Sequence, residues 1–112
     1  MSSSRRKILV ADGDEIVLAL ISYIVNRQGY SVDVASTAEQ ARTRLASQRY
    51  EAVLLDSNLS EALAASPELA ARTILLSANS SDPELPVHSI IRKPIEFGLL
   101  VQTLADCVRE SD

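Results

Sequence analysis

The sequence predicts an α/β domain in which a five-stranded parallel sheet of order 2-1-3-4-5 is doubly wound, with helices on both faces. Three observations lead there. Short aliphatic or β-branched runs recur at residues 8–11, 32–35, 52–55, 73–77 and 89–92. Helix-permissive segments separate them, as expected of parallel strands joined by crossovers. The chain's 112 residues are 46% apolar yet hold no Trp and one Phe, so the core must be Leu, Ile, Val and Ala, the material of a layered fold. That length suits a single domain, placed at 7–110.

Met1-Ser2-Ser3-Ser4-Arg5-Arg6 reads as a disordered lead-in, since the apolar run after Lys7 ends at once in Asp12 and is too short for a signal peptide. Between the first two strands Ile16, Val17, Leu20, Ile21, Ile24 and Val25 recur at helical spacing, and Gly29 stands where a helix C-terminal glycine belongs. After the second strand, Thr37 and Gln40 form a capping-box pair, followed by a stripe of Ala38, Ala41 and Leu45. Residues 60–72 are Ala-rich, but Pro67 forbids one continuous helix and predicts one short helix or two pieces. Residues 77–89 hold Asn79, Asp82, Pro83 and Pro86 and have room for at most one turn, with Asp82 as cap and Pro83 at the first helical position. The fourth helix of the fold is therefore expected to be shortened or absent. The last helix runs from about 95 to 108 on Leu99, Leu100, Leu104 and Val108, just after Pro94. Gly98 in its first turn costs ~1 kcal/mol relative to Ala and should loosen it.

Several function classes fall away. The net charge is -4, and the basic residues Arg5, Arg6 and Lys7 sit together at the N-terminus, a poor match to a nucleic-acid footprint. No run approaches the ~18 apolar residues of a membrane span. The single cysteine, Cys107, lies among Leu104, Ala105 and Val108 and reads as a packing residue. A cytoplasmic protein is expected.

In a sheet of this order, ligands bind beyond the carboxyl ends of the strands where the order reverses, beside strands one and three. Polar residues collect there: Asp12-Gly13-Asp14 after strand one, Asp56-Ser57-Asn58 after strand three, Ser77 after strand four and Lys93-Pro94 after strand five. A lone aspartate at a strand end is usually a cap or a turn residue. Asp12 and Asp56 brought together would repel, and a hard divalent cation with oxygen ligands, Mg²⁺, relieves this. With a facing Lys93 and a Ser77 hydroxyl, these are the parts of phosphoryl transfer, and the Asp56 carboxylate is the candidate nucleophile.

The strings Ile8-Leu9-Val10-Ala11-Asp12, Ala52-Val53-Leu54-Leu55-Asp56, Ile74-Leu75-Leu76-Ser77-Ala78 and Lys93-Pro94 resemble, in order, the four signature blocks of the receiver domains of two-component response regulators. The resemblance spans residues 7 to 109. It implies a flavodoxin-like (CheY-like) fold and a phosphoprotein of phosphorelay signal transduction, a phosphoacceptor rather than an enzyme, with at most self-phosphorylation and self-dephosphorylation. Asp56 would accept phosphate from a histidine kinase or phosphotransfer protein, and a downstream protein would read the result. Mg²⁺ would be held by Asp12, Asp56 and the Asn58 backbone carbonyl. Ser77 would be the switch hydroxyl, Lys93 would pair with the phosphoryl group, and the Lys93–Pro94 bond would be cis.

The sequence departs from that pattern in three places. Where the family has two adjacent acidic residues after strand one, the second here is Gly13. Asp14 could reach back to the metal but is better placed to cap the first helix, so Mg²⁺ binding is expected to be weak. The intervals from Asp56 to Ser77 and from Ser77 to Lys93 are short for the family. Ile90 stands where receivers often carry a switching aromatic, and its ordinary reading is core or half-buried strand packing. Phe97 is expected to pack, and His88 to sit on the surface without a role.

Three functions compete. One is a stand-alone phosphorylatable receiver working through protein contacts. The second is a pseudo-receiver, a protein-binding module with impaired metal binding. In the third, Asp12-Gly13-Asp14 is similar to the Asp-x-Asp motif of haloacid-dehalogenase phosphatases, with Asp12 as nucleophile and Asp14 as acid. The chain is short for that fold, and no acidic pair follows the lysine. A short connection before strand five would leave the adjoining sheet edge open, and homodimerisation there is a further expectation.

Overall fold

The computed structural model describes residues 6–63, 66–78 and 86–110. Five parallel strands, β1 (Lys7–Ala11), β2 (Ser31–Ala35), β3 (Ala52–Asp56), β4 (Thr73–Ser77) and β5 (Ser89–Arg92), form one sheet in the order β2-β1-β3-β4-β5. The expected order and fold class hold. Every residue of β3 and β4 is buried, as central strands covered on both faces must be.

Alternate strand residues feed two cores. On one face Ile8, Val10, Leu54, Ile74, Leu76 and Ile91 meet α1 (Glu15–Arg27) through Leu18, Ile21 and Val25, and α4 (Phe97–Glu110) through Leu100, Leu104, Cys107 and Val108. On the other, Leu9, Ala11, Val53, Leu55 and Leu75 meet Ala38 and Ala41 of α2 (Ala38–Ser47), together with Ala62 and Leu63.

The helix ends follow the capping chemistry read from the sequence. Asp14 caps α1, and its carboxylate accepts from the backbone N–H of Ile16 (2.9 Å) and Val17 (3.3 Å). Gly29 closes α1 with φ +95°, a left-handed conformation that glycine adopts without strain. Thr37 Oγ1 accepts from Gln40 N–H at 3.0 Å, while the Gln40 side chain reaches back to Ser36 N–H (2.8 Å).

Pro67 divides the third crossover as expected. A 3-10 helix covers Ser57–Leu63, and α3 (Pro67–Ala71) starts afresh with Ser66 as cap and the proline in its first turn, where the missing N–H costs nothing. The Asp82 cap and the Pro83 turn lie outside the described residues, as does most of the proposed lead-in. Arg6 is tied to the sheet: its carbonyl accepts from Ser31 N–H (2.9 Å) and its guanidinium lies 3.6 Å from Glu51.

The last helix begins two residues later than expected, because Glu96 acts as its cap. The Glu96 carboxylate accepts from the N–H groups of Gly98 (2.9 Å) and Leu99 (2.8 Å), so the turn read as loose is held. Ile90 and Phe97 also differ from expectation, being 45% and 42% exposed. Ile90 sits on an edge strand whose core-facing residue is Ile91. His88 is half-buried rather than free on the surface, bonding Ser89 Oγ (2.8 Å) and Glu110 (3.2 Å).

Candidate functional site

Strand register gathers the site. Ala11 pairs with Leu55, Asp56 with Leu76 and Ser77 with Arg92, so Asp12, Asp56, Ser77 and Lys93 all leave the sheet at one rim. Asp12 and Ser77 are fully buried, and Asp56 is 6% exposed.

Asp12 is held at three points. Its backbone N–H donates to Ala35 O (3.1 Å), its Oδ1 accepts from Asp14 N–H (2.8 Å), and its Oδ2 accepts from Lys93 Nζ (2.9 Å). Asp56 Oδ1 accepts from Asn58 N–H at 3.3 Å and lies 3.8 Å from the same ammonium. Lys93 thus stands between the two carboxylates, 21% exposed. Its backbone is anchored to the neighbouring strand. Lys93 N–H donates to Ser77 O at 2.7 Å, which ties the ends of β4 and β5 together, and the Lys93–Pro94 peptide bond is cis.

Two buried carboxylates and one ammonium leave one net negative charge at the rim. Buried charge is tolerated when paired and hydrogen-bonded, and Lys93 pairs with both acids at once. That residual charge, with oxygen donors from Asp12, Asp56 and the 57–58 backbone, suits a hard divalent cation. The donor set is nevertheless lean. Asp14 spends its carboxylate on α1, Gly13 offers no side chain, and the described residues contain no group of three or more His, Cys, Asp or Glu able to hold a metal ion.

The structure therefore brings together Asp12, Asp56 and Lys93 by direct contact and Ser77 by register. It turns Asp14 away, which also removes the acid that a dehalogenase-type Asp-x-Asp reading needs beside Asp12. Asn58 follows Asp56 at the start of the 3-10 helix, and its N–H orients the Asp56 carboxylate. A second polar cluster escaped the sequence reading. Tyr50 is buried just before β3; its hydroxyl donates to Asp33 Oδ2 (2.7 Å), and the Gln48 amide donates to the same oxygen (2.8 Å). Burial, then the Asp33 carboxylate, pushes the Tyr50 hydroxyl up to about 12. Burial likewise pushes the Cys107 thiol up to about 11, in keeping with its packing place in α4, from which it donates to Arg72 O.

No protein-family profile matches the sequence, and no curated protein does. Solved structures match closely in shape. The receiver domain of a Francisella response regulator superposes with a TM-score of 0.82 at 19% identity, over 96% of this chain and 99% of that one. A CheY-like response regulator receiver domain protein from Methanospirillum hungatei JF-1 gives 0.81 at 21% identity, over 96% and 97%. The signal receiver domain of an HD domain-containing protein from Pseudomonas fluorescens Pf-5 gives 0.80 at 22%, over 99% and 92%. With the strand order and the rim of polar residues, these matches establish that the chain has the CheY-like receiver fold of response regulators along nearly its whole length.

Proposed function

We propose that this chain is a cytoplasmic signal receiver whose Asp56 accepts a phosphoryl group from a histidine kinase or phosphotransfer protein and which acts through protein contacts. The observation that carries the proposal is the position of Lys93 Nζ, 2.9 Å from Asp12 and 3.8 Å from Asp56. A cation so placed faces the point where charge accumulates as the phosphoryl group arrives.

In the transfer, an Asp56 carboxylate oxygen attacks phosphorus, a new O–P bond forms, and the P–N bond of the donor phosphohistidine breaks with its electron pair leaving on the imidazole. Lys93 holds charge on a phosphoryl oxygen, and the Ser77 hydroxyl is the candidate donor to another. Asn58 N–H orients the nucleophile. Asp12, Asp56 and the Asn58 carbonyl would hold Mg²⁺, which supplies charge neutralisation on the transferred group. Asp12 already accepts from both Asp14 N–H and Lys93, so it enters metal coordination only by sharing or giving up the lysine. Binding weaker than that of a three-acid site is the expected consequence.

The test is amide NMR with Mg²⁺ and beryllofluoride, an unreactive stand-in for the phosphoryl group. Perturbations centred on Asp56, Ser77 and Lys93 that vanish in Asp56→Ala support the proposal. The Asp14 cap and Gly13 specifically favour a second reading, a pseudo-receiver that binds partners without phosphorylation. No perturbation at millimolar Mg²⁺, with the fold intact, would select it.

A further inference from the structure

The rim of the sheet opposite Asp56 holds a cavity of its own. Arg49 and Tyr50 lead into β3 and Arg72 leads into β4, while Asp56 and Ser77 end the same two strands. At ~3.3 Å per residue, strands of this length set the two rims roughly 15 Å apart. The cavity, of about 270 Å³, is lined by Leu45 and Ser47 from α2, by Leu69 from α3, and by Arg49, Tyr50 and Arg72. Two arginines line it and, among the described residues, no Asp or Glu does. The chain as a whole carries a net charge of -4, so this is a local reversal of sign.

The acids near this rim are already engaged by other cations. Lys7 and Arg44 face Asp33, and Arg6 faces Glu51. Arg49 and Arg72 are left over. The Arg49 side chain is exposed and has no hydrogen bond or ion pair among the described residues. Arg72 is half-buried, no described acid pairs with its guanidinium, and its Nε is buried without a hydrogen-bond partner among the described residues. A partly buried charge and a buried donor both cost stability until a partner satisfies them.

We propose that this cavity binds a small oxyanion, a phosphomonoester or a carboxylate, gripped between Arg49 and Arg72. A planar guanidinium presents a fork of N–H donors that matches two oxygens of either group. Approached side-on, Arg72 spends Nε and one Nη on the ligand, which meets the donor that the fold leaves over. Half-buried Leu45 and Leu69 supply apolar wall for a short organic part. The volume falls just below the ~300–1,000 Å³ of sites for drug-sized ligands, which restricts the occupant to a small molecule. A second negative charge on phosphate engages the second guanidinium, so phosphate is expected to bind more tightly than a carboxylate. The site uses neither Asp56 nor a metal and stands apart from the phosphoryl reading.

Amide NMR of the full chain without Mg²⁺, titrated at constant ionic strength with inorganic phosphate and separately with acetate, tests the proposal. Omitting the metal leaves the acidic rim repelling both anions. The expected result is a saturable phosphate shift confined to the amides of residues 45–50 and 69–72, about tenfold weaker in Arg49→Gln and in Arg72→Lys. Whichever anion binds more tightly names the ligand class, and either one supports the site. Circular dichroism confirms that each variant is folded. No saturable shift up to about 50 mM of either anion, or shifts that survive both substitutions, would overturn it. So would an Arg49→Gln variant that loses stability to urea but binds phosphate unchanged, since Arg49 would then serve only to offset the carbonyl end of α2.

Discussion

Lys93 and Asp12 carry most of the electrostatic argument, and their contact depends on residues 81 positions apart meeting at one rim. The Ser77 carbonyl that receives the Lys93 backbone N–H anchors the residue that carries the ammonium. Gly13 decides how far the site departs from a three-acid design. A Cβ built there would meet only Ser36 O, at 3.8 Å, so the position has room for a side chain. Gly13→Asp is accordingly expected to fold normally and to bind Mg²⁺ about tenfold more tightly, ~1.4 kcal/mol. An amide-shift titration with MgCl₂ reads this directly, and an unchanged affinity in a folded variant would mean that position 13 does not face the metal. These residues were legible in the sequence because strand ends are legible. Asp14 was ambiguous between ligand and cap, and two free N–H groups at the start of α1 decided it.

At the scale of elements, the sequence was most readable where one local force acted alone. Pro67 broke the third crossover, Gly29 closed α1, and Thr37 capped α2, each through backbone chemistry that needs no tertiary partner. The start of α4 was misread because its cap is a glutamate, outside the usual Ser, Thr, Asp and Asn set. That cap also changes what Gly98 means. An added Cβ would stand 3.0 Å from Glu96 Oε1, so Gly98→Ala should gain less than the ~1 kcal/mol that propensity promises. In a Glu96→Ala background the same substitution should gain nearly all of it. Urea denaturation of the four proteins measures the difference, and equal gains in both backgrounds would deny the conflict.

The Asp33–Tyr50–Gln48 cluster was invisible to the sequence because it joins β2, the C-terminus of α2 and the turn before β3, three places without a shared pattern. Its pH behaviour follows from the Tyr50 hydroxyl, raised from its ordinary value to about 12. The folded state favours the protonated form. Stability from this group is complete below about pH 10, the unfolded value, and is lost as pH rises through about 12. Tyr50→Phe should be less stable than the parent by ~1 kcal/mol at neutral pH, with the gap closing across that alkaline window. A gap that stays constant with pH would show that the hydroxyl's proton is not coupled to folding.

For the molecule as a whole, strand count, order and the polar rim were legible because parallel strands buried on both faces are written as unbroken aliphatic runs. Surface properties were less so. Ile90 and Phe97 belong to apolar patterns and are nonetheless exposed, since a pattern states which residues could be buried and not whether another element arrives to cover them. Helix α1 is the clearest case. Val17 and Ile21 turn toward the body of the domain, while Ile16, Leu20 and Tyr23, of the same character, face outward. Among the described residues no helix is long and apolar enough to cross a membrane.

The account centres on Asp56 as the acceptor, and intact-mass spectrometry tests it most directly, after incubation with Mg²⁺ and acetyl phosphate. The expected result is a single phosphoryl adduct that is labile to base, depends on Mg²⁺, and is lost in Asp56→Asn and retained in Asp14→Asn. An adduct that persists in Asp56→Asn, or none in a folded protein at millimolar Mg²⁺, would contradict it.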